Sequence, residues 1–265
     1  MSKDPWDNEF QPPDPWEPAP TPPEPNSHTG LLVTPSRREL LIALIYLPLH
    51  LFVIGDIVLE LLLHFGSADS TLNQLLTQLN LLYMLTGTVV LMLAMRRYLQ
   101  ASFVRFLAFG TKNIRVLLTG YSIRFVLAFA VGIILSFLTP EVGAGPNEEV
   151  LREIVDYSLL PSLFLTVILA PIVEELLFRA AIFAPLLKRN RFLAYFVSTF
   201  LFAFIHILHF LSSAPLPMLL TVMLFYIPAG AALAWVYEKS GNIWTAIILH
   251  GLMNLIAILL GSVIF

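Results

Sequence analysis

The chain has no cysteine and very little charge. Without cysteine there can be no disulfide, no thiolate metal ligand, no iron–sulfur centre and no thiol nucleophile. Asp, Glu, Lys and Arg together make up 12% of the 265 residues; a soluble domain carries about 25%. Hydrophobic residues reach 57% and the mean hydropathy is +0.80. Too few polar groups remain to coat a water-facing surface, so the chain is an integral membrane protein and a soluble globular enzyme is excluded. From Phe192 to Tyr237 there is no charged residue at all. Two catalytic motifs are missing as well. No Gly-x-Ser-x-Gly occurs, which argues against a serine hydrolase, and no His-Glu-x-x-His occurs.

The little charge present is unevenly spread. Ten of the nineteen prolines lie in residues 1–36. Asp4, Asp7, Glu9, Asp14, Glu17 and Glu24 face a single base, Lys3, giving a tail of −5 in a chain of net −3. Such a segment cannot bury enough surface to offset its chain entropy, and we expect 1–36 to be a disordered, Pro-rich acidic tail. It lacks the basic start and early apolar run of a secretory signal. Asp-Pro-Trp occurs twice in it, at Asp4–Trp6 and Asp14–Trp16, and could serve as a docking motif.

Beyond the tail, apolar runs of about 20 residues recur, the length that crosses a bilayer. Spans are expected at 40–65, 75–95, 116–138, 159–187, 192–211, 216–237 and 243–265. The fold class is therefore all-α, a polytopic bundle of about seven transmembrane helices. Residues 37–158 form its N-terminal helices and 159–265 its core. Arg37, Arg38, Arg96, Arg97, Arg105, Lys112, Arg115, Lys188, Arg189 and Arg191 fall between alternate spans. The positive-inside rule then puts the N-terminus in the cytoplasm and the C-terminus outside. Residues 101–113 mix phenylalanines with Arg105 and Lys112, as a helix lying along the cytoplasmic leaflet would.

Charges inside spans are costly and point to function. The densest case is Glu174, Glu175 and Arg179 in span four. Glu175 and Arg179 are four apart and share a helix face, with the acid first, the favoured order. Glu174 is rotated by roughly 100° and has no local partner, which suits a general base. Span five carries His206 and His209, with Phe202 one turn before His206; span seven carries His250 and Asn254 at i+4. Imidazole and amide donors could stabilise a tetrahedral oxyanion while Glu174 and a histidine deprotonate water. This chemistry suggests amide hydrolysis in or beside the membrane. Glu174, His206 and His250 could also supply a His-His-Glu zinc set. In span one, Asp56, Glu60 and His64 step by four along one face. They could sit at the interface, pair with Arg124 in span three, or line a polar pathway. Linear counting places His206 and His250 at different depths. Their convergence needs a shifted, tilted or broken helix, with Pro161, Pro171 or Pro228 as places for a kink.

Three short patterns occur in order, each on an expected span: Glu174-Glu175-Leu-Leu-Phe-Arg179, Phe202-x-x-x-His206 and His250-x-x-x-Asn254. Together with the approach Tyr237-Glu-Lys-Ser-Gly-Asn-Ile-Trp244 they resemble the CPBP family, the CAAX-protease and bacteriocin-processing (Abi) intramembrane proteases. The resemblance covers about residues 160–258. It implies a glutamate-dependent, metal-independent endopeptidase without a cofactor. Glu174 would activate water with His206, His250 and Asn254 would form the oxyanion site, and Glu175 and Arg179 would support the geometry. The expected partners are the lipid bilayer and a membrane-associated protein or peptide substrate, not nucleic acid. A bacterial inner membrane is the expected location. A membrane scaffold that binds a partner enzyme through its Pro-Trp tail is the competing reading. A proton- or ion-coupled transporter using Asp56, Glu60 and the Glu174–Glu175 pair as relay groups is a third.

Overall fold

In the computed structural model, which describes residues 31, 33–67, 70–139 and 146–259, the apolar runs are helices. Residues 1–30 and 32 of the acidic tail, with its Asp-Pro-Trp repeats, lie outside the described residues, as do Asp69, Glu141 and 260–265. Among the described residues six helices are long and apolar enough to cross a membrane: α1 (Arg37–Phe65), α2 (Leu72–Ala94), α4 (Thr111–Leu138), α6 (Leu159–Leu187), α7 (Arg191–Leu208) and α8 (Leu216–Ser240). α9 (Ile243–Leu259) is apolar but shorter within the described residues. Two helices of other character, α3 (Arg96–Phe109) and α5 (Pro146–Tyr157), complete the bundle. No strand occurs among the described residues.

Side chains at the helix starts set several boundaries. Ser36 and Glu39 form a capping box at α1, and Thr71 and Gln74 form another at α2. Asn190 caps α7 through the Leu193 amide at 2.9 Å. Glu39 reaches further, because its second oxygen accepts from the Tyr98 amide at 2.9 Å. One carboxylate thus satisfies orphan N–H groups of both α1 and α3. This helps to start α3 at Arg96 rather than at the expected 101. Gly110, at φ +37°, turns the chain from α3 into α4 through a conformation that side chains disfavour. α5 was not foreseen: it lies between the expected spans 116–138 and 159–187, with Glu149, Arg152 and Glu153 exposed on a helix that opens with Pro146. α7 ends at Leu208, so His209 lies beyond the helix instead of within it.

The helices are not equivalent. In their most apolar stretches α6 is 50% buried and α8 is 61% buried, against 11% for α4. α6 and α8 therefore form the interior, and the large exposed side chains of α4, such as Phe125, Phe129 and Phe137, face outward. α1 and α2 pack against α6 from one side, and α7, α8 and α9 from the other.

The end that gathers the basic residues is laced by hydrogen bonds between helices. Lys188 reaches Thr34 at 3.2 Å, and Arg191 meets Glu238 at 3.0 Å. The Tyr98 and Tyr237 hydroxyls are 3.0 Å apart. Under the α8–α9 turn, α3 acts as a sill: Ser102 accepts from the Ile243 amide at 3.1 Å and the Leu99 carbonyl accepts from Trp244 at 3.1 Å. Asn242 and Ile243 are fully buried there. α9 thus begins inside the protein, not at its surface.

Candidate active site

α6 is a helix with a changing bore. Its hydrogen bonding widens to i→i+5 at Phe164–Leu169 and again at Leu176–Phe183, on either side of the turn that holds Pro171, Glu174 and Glu175. Such widened turns recur at functional sites because they leave backbone carbonyls free for other partners. Here two carbonyls are taken up by other helices. Thr166 O accepts from Asn254 at 2.7 Å, and Phe178 O accepts from Ser198 at 3.0 Å. The expected irregularity therefore lies within α6 itself, flanking Pro171.

The charged residues meet in one buried string. Glu175 and Arg179 are both without solvent exposure, with Oε2 3.2 Å from Nε. Arg179 also donates to the Gly230 carbonyl at 3.1 Å and lies 4.4 Å above the Phe202 ring. Gly230 also lets α7 pack closely, because a Cβ there would press on Thr199 and Phe202 at 3.1–3.2 Å. The other oxygen of Glu175 accepts from Nδ1–H of His250 at 2.9 Å. His250 Nε2 then faces Glu174 Oε2 at 3.9 Å, outside hydrogen-bond range. Glu174 is itself buried, and its Oε2, like Glu175 Oε2, has no hydrogen-bond partner among the described residues, but Glu175 Oε2 is paired with Arg179 at 3.2 Å whereas Glu174 Oε2 has only the His250 ring at 3.9 Å. So Glu175 is neutralised and committed, while Glu174 is left open.

His206 approaches from α7. Its Nδ1 donates to the Phe202 carbonyl one turn back at 2.8 Å, which leaves Nε2 with the lone pair, and its ring stacks on Tyr226 at 3.6 Å. Folding back lowers the imidazole toward His250. The Phe202 ring bridges the two histidines, 5.1 Å from His206 and 5.7 Å from His250. Gly251 brings α9 within reach, since a Cβ there would collide with the Val167 carbonyl oxygen. The buried start of α9, the folded His206 ring and the close α6–α9 contact together answer the difference in depth.

Glu174, Glu175, Arg179, His206 and His250 are thus brought together, with Asn254 one turn along α9 from His250 and bonded to α6. Among the described residues no group of three His, Asp or Glu side chains is gathered closely enough to hold a metal ion. Asp56, Glu60 and His64 stand apart and are exposed at the far end of α1. Arg124 is buried in α4 without a carboxylate within 4 Å among the described residues, so it does not pair with them.

One group escaped sequence reasoning. His50 of α1 is 3% exposed, lies 3.4 Å from the Tyr46 hydroxyl and stacks flat on Tyr83 of α2 at 4.1 Å. Tyr83 lies within electrostatic range of Glu174, and His50 within range of His209. The one available signal was a histidine in mid-span two residues after Pro48.

Comparison with known proteins bears on the same helices. Residues 156–256 match the family described as type II CAAX prenyl endopeptidase Rce1-like. The chain is 31% identical over 139 residues to "Putative membrane peptidase YdiL" of Bacillus subtilis (strain 168), an alignment covering 51% of this chain and 52% of that protein. The chain thus spans about half the length of that curated relative. No solved structure matches it.

Proposed function

We propose that this chain, whose residues 156–256 match the type II CAAX prenyl endopeptidase Rce1-like family, is an intramembrane endopeptidase acting on a membrane-associated protein or peptide. The observation that carries this reading is the open carboxylate oxygen of Glu174, buried beside His250 while its neighbour Glu175 is held by Arg179. A buried carboxylate without a donor has no stabilising partner except a bound water or substrate. Water between Glu174 and His206 gives up a proton to the Glu174 carboxylate as its oxygen adds to the scissile carbonyl carbon. His206 Nε2 accepts the second water hydrogen and holds the orientation. The oxyanion lies toward the free N–H of Asn254, beside the His250 ring that Glu175 holds through Nδ1–H. Collapse breaks the C–N bond, and the proton on Glu174 passes to the leaving amine. No step in this sequence requires a metal or cofactor.

The basic helix ends support a cytoplasmic placement of that face, and with it a bacterial inner membrane with the N-terminus inside. Purified Glu174→Gln protein in vesicles tests the activity. Fragments of membrane proteins present with the wild type and absent with Glu174→Gln, read by mass spectrometry, are the expected result. Equal fragments from both would defeat the peptidase reading and favour a scaffold.

A further inference from the structure

The proposed reaction lacks hydrogen-bond donors. His250 gives Nδ1–H to Glu175 at 2.9 Å, so its neutral ring presents only a lone pair at Nε2. Asn254 has two amide hydrogens, and one already goes to Thr166 O at 2.7 Å. One amide hydrogen is little for a full negative charge in an apolar site. Tyr83 of α2 offers a further donor. The Tyr83 hydroxyl makes no hydrogen bond among the described residues, and it lies within electrostatic range of Glu174.

Its placement is built from three helices. α2 packs along the turn of α6 that holds Glu174. Gly87, one turn after Tyr83 on the same face of α2, seats that contact: a Cβ there would lie 2.9 Å from the His50 ring and 3.1 Å from Val173, the residue before Glu174. Thr88 adds a 3.4 Å bond to the Leu169 carbonyl. The His50 ring, 8° from parallel with Tyr83, limits rotation of the phenol about its long axis. Tyr46 in turn holds His50 through its hydroxyl, where the hydrogen bonding of α1 widens at His50–Ile54.

We propose that Tyr83 is a further catalytic residue, donating its phenolic hydrogen to the oxyanion of the tetrahedral intermediate, and that His50 is a positioning residue that orients it. No covalent bond to Tyr83 forms. The hydrogen bond strengthens as charge develops on the carbonyl oxygen and relaxes when the C–N bond breaks. The proposal rests on the peptidase reading and extends it to helices outside residues 156–256. The N-terminal half would then supply a wall of the active site in addition to its membrane anchorage.

The test uses full-length protein in phosphatidylethanolamine–phosphatidylglycerol vesicles carrying an internally quenched, acyl-anchored peptide library. Wild type, Glu174→Gln, Tyr83→Phe, His50→Phe and His50→Ala are compared. Tyr83→Phe should lower kcat by about 10²-fold, the cost of one oxyanion donor, with KM and melting temperature unchanged. His50→Phe keeps the stack and should retain more activity than His50→Ala. Wild-type kcat in Tyr83→Phe, with cleavage still abolished by Glu174→Gln, would overturn this proposal alone. Absence of any Glu174-dependent cleavage by the wild type would overturn both readings.

Discussion

α1 and α6 are alike on paper. Each runs 29 residues, each is apolar enough to span a bilayer, and each carries two acids and a base within a few turns. In α6 the trio is Glu174, Glu175 and Arg179, and in α1 it is Asp56, Glu60 and His64. Their fates are opposite. Glu175 and Arg179 have no exposure and share their polar atoms with α8 and α9, whereas Asp56, Glu60 and His64 are all exposed. The face of α1 that is buried is a different one, carrying Ala43, Tyr46 and His50. A charge in an apolar run therefore marks a site only when its own face is the packed face. α6 is enclosed on every side from Val173 to Ala184, so none of its charges can escape to the surface.

The contrast can be broken most strongly at Arg179. Arg179→Met leaves Glu174 and Glu175 buried without a cation; loss of a buried ion-pair partner costs about 3–5 kcal/mol. Thermal unfolding in detergent should show a large drop in melting temperature together with loss of activity. Glu174→Gln, by comparison, should spare stability. A smaller effect is expected at Gly251. Gly251→Ala drives a methyl into the Val167 carbonyl and pushes α9 from α6; overpacking of this kind costs about 1–3 kcal/mol. Because His250 moves with α9, turnover should fall more than stability. The smallest effect is expected for the triple change Asp56→Asn, Glu60→Gln and His64→Asn. Exposed substitutions usually stay within about 0.5 kcal/mol, and both melting temperature and cleavage should match the wild type. A large loss there would mean that the far end of α1 has a role comparable to that of α6.

Much of the bundle was legible because it depends on local quantities. Span lengths follow from the hydrocarbon thickness, and the expected spans differ from α1, α2, α4, α6, α7 and α8 mainly at their ends. The Glu175–Arg179 pair was legible for the same reason, since i,i+4 spacing on one helix needs no tertiary knowledge. What was missed depends on neighbours. α3 starts early because a carboxylate from α1 caps it, and α5 is amphipathic in a stretch between two expected spans. His50 gives no sign in the sequence that it stacks on Tyr83 of α2. The depth of His250 depends on α3 covering the α8–α9 turn, which no counting along the chain reveals.

The scarcity of charge by itself determined that the chain lives in a bilayer, and it singled out Glu174, Glu175 and Arg179 as charges out of place. Those conclusions rest on transfer free energies, which belong to each residue wherever it packs. Only the tertiary structure decided which carboxylate stays open. Glu175 is claimed twice, by Arg179 from its own helix and by His250 from α9, and Glu174 is not. It decided also that Asp56, Glu60 and His64 of α1 stay outside while His50 turns in. Both outcomes depend on which face of a helix meets a neighbour, and that is set by close packing among helices far apart in the chain.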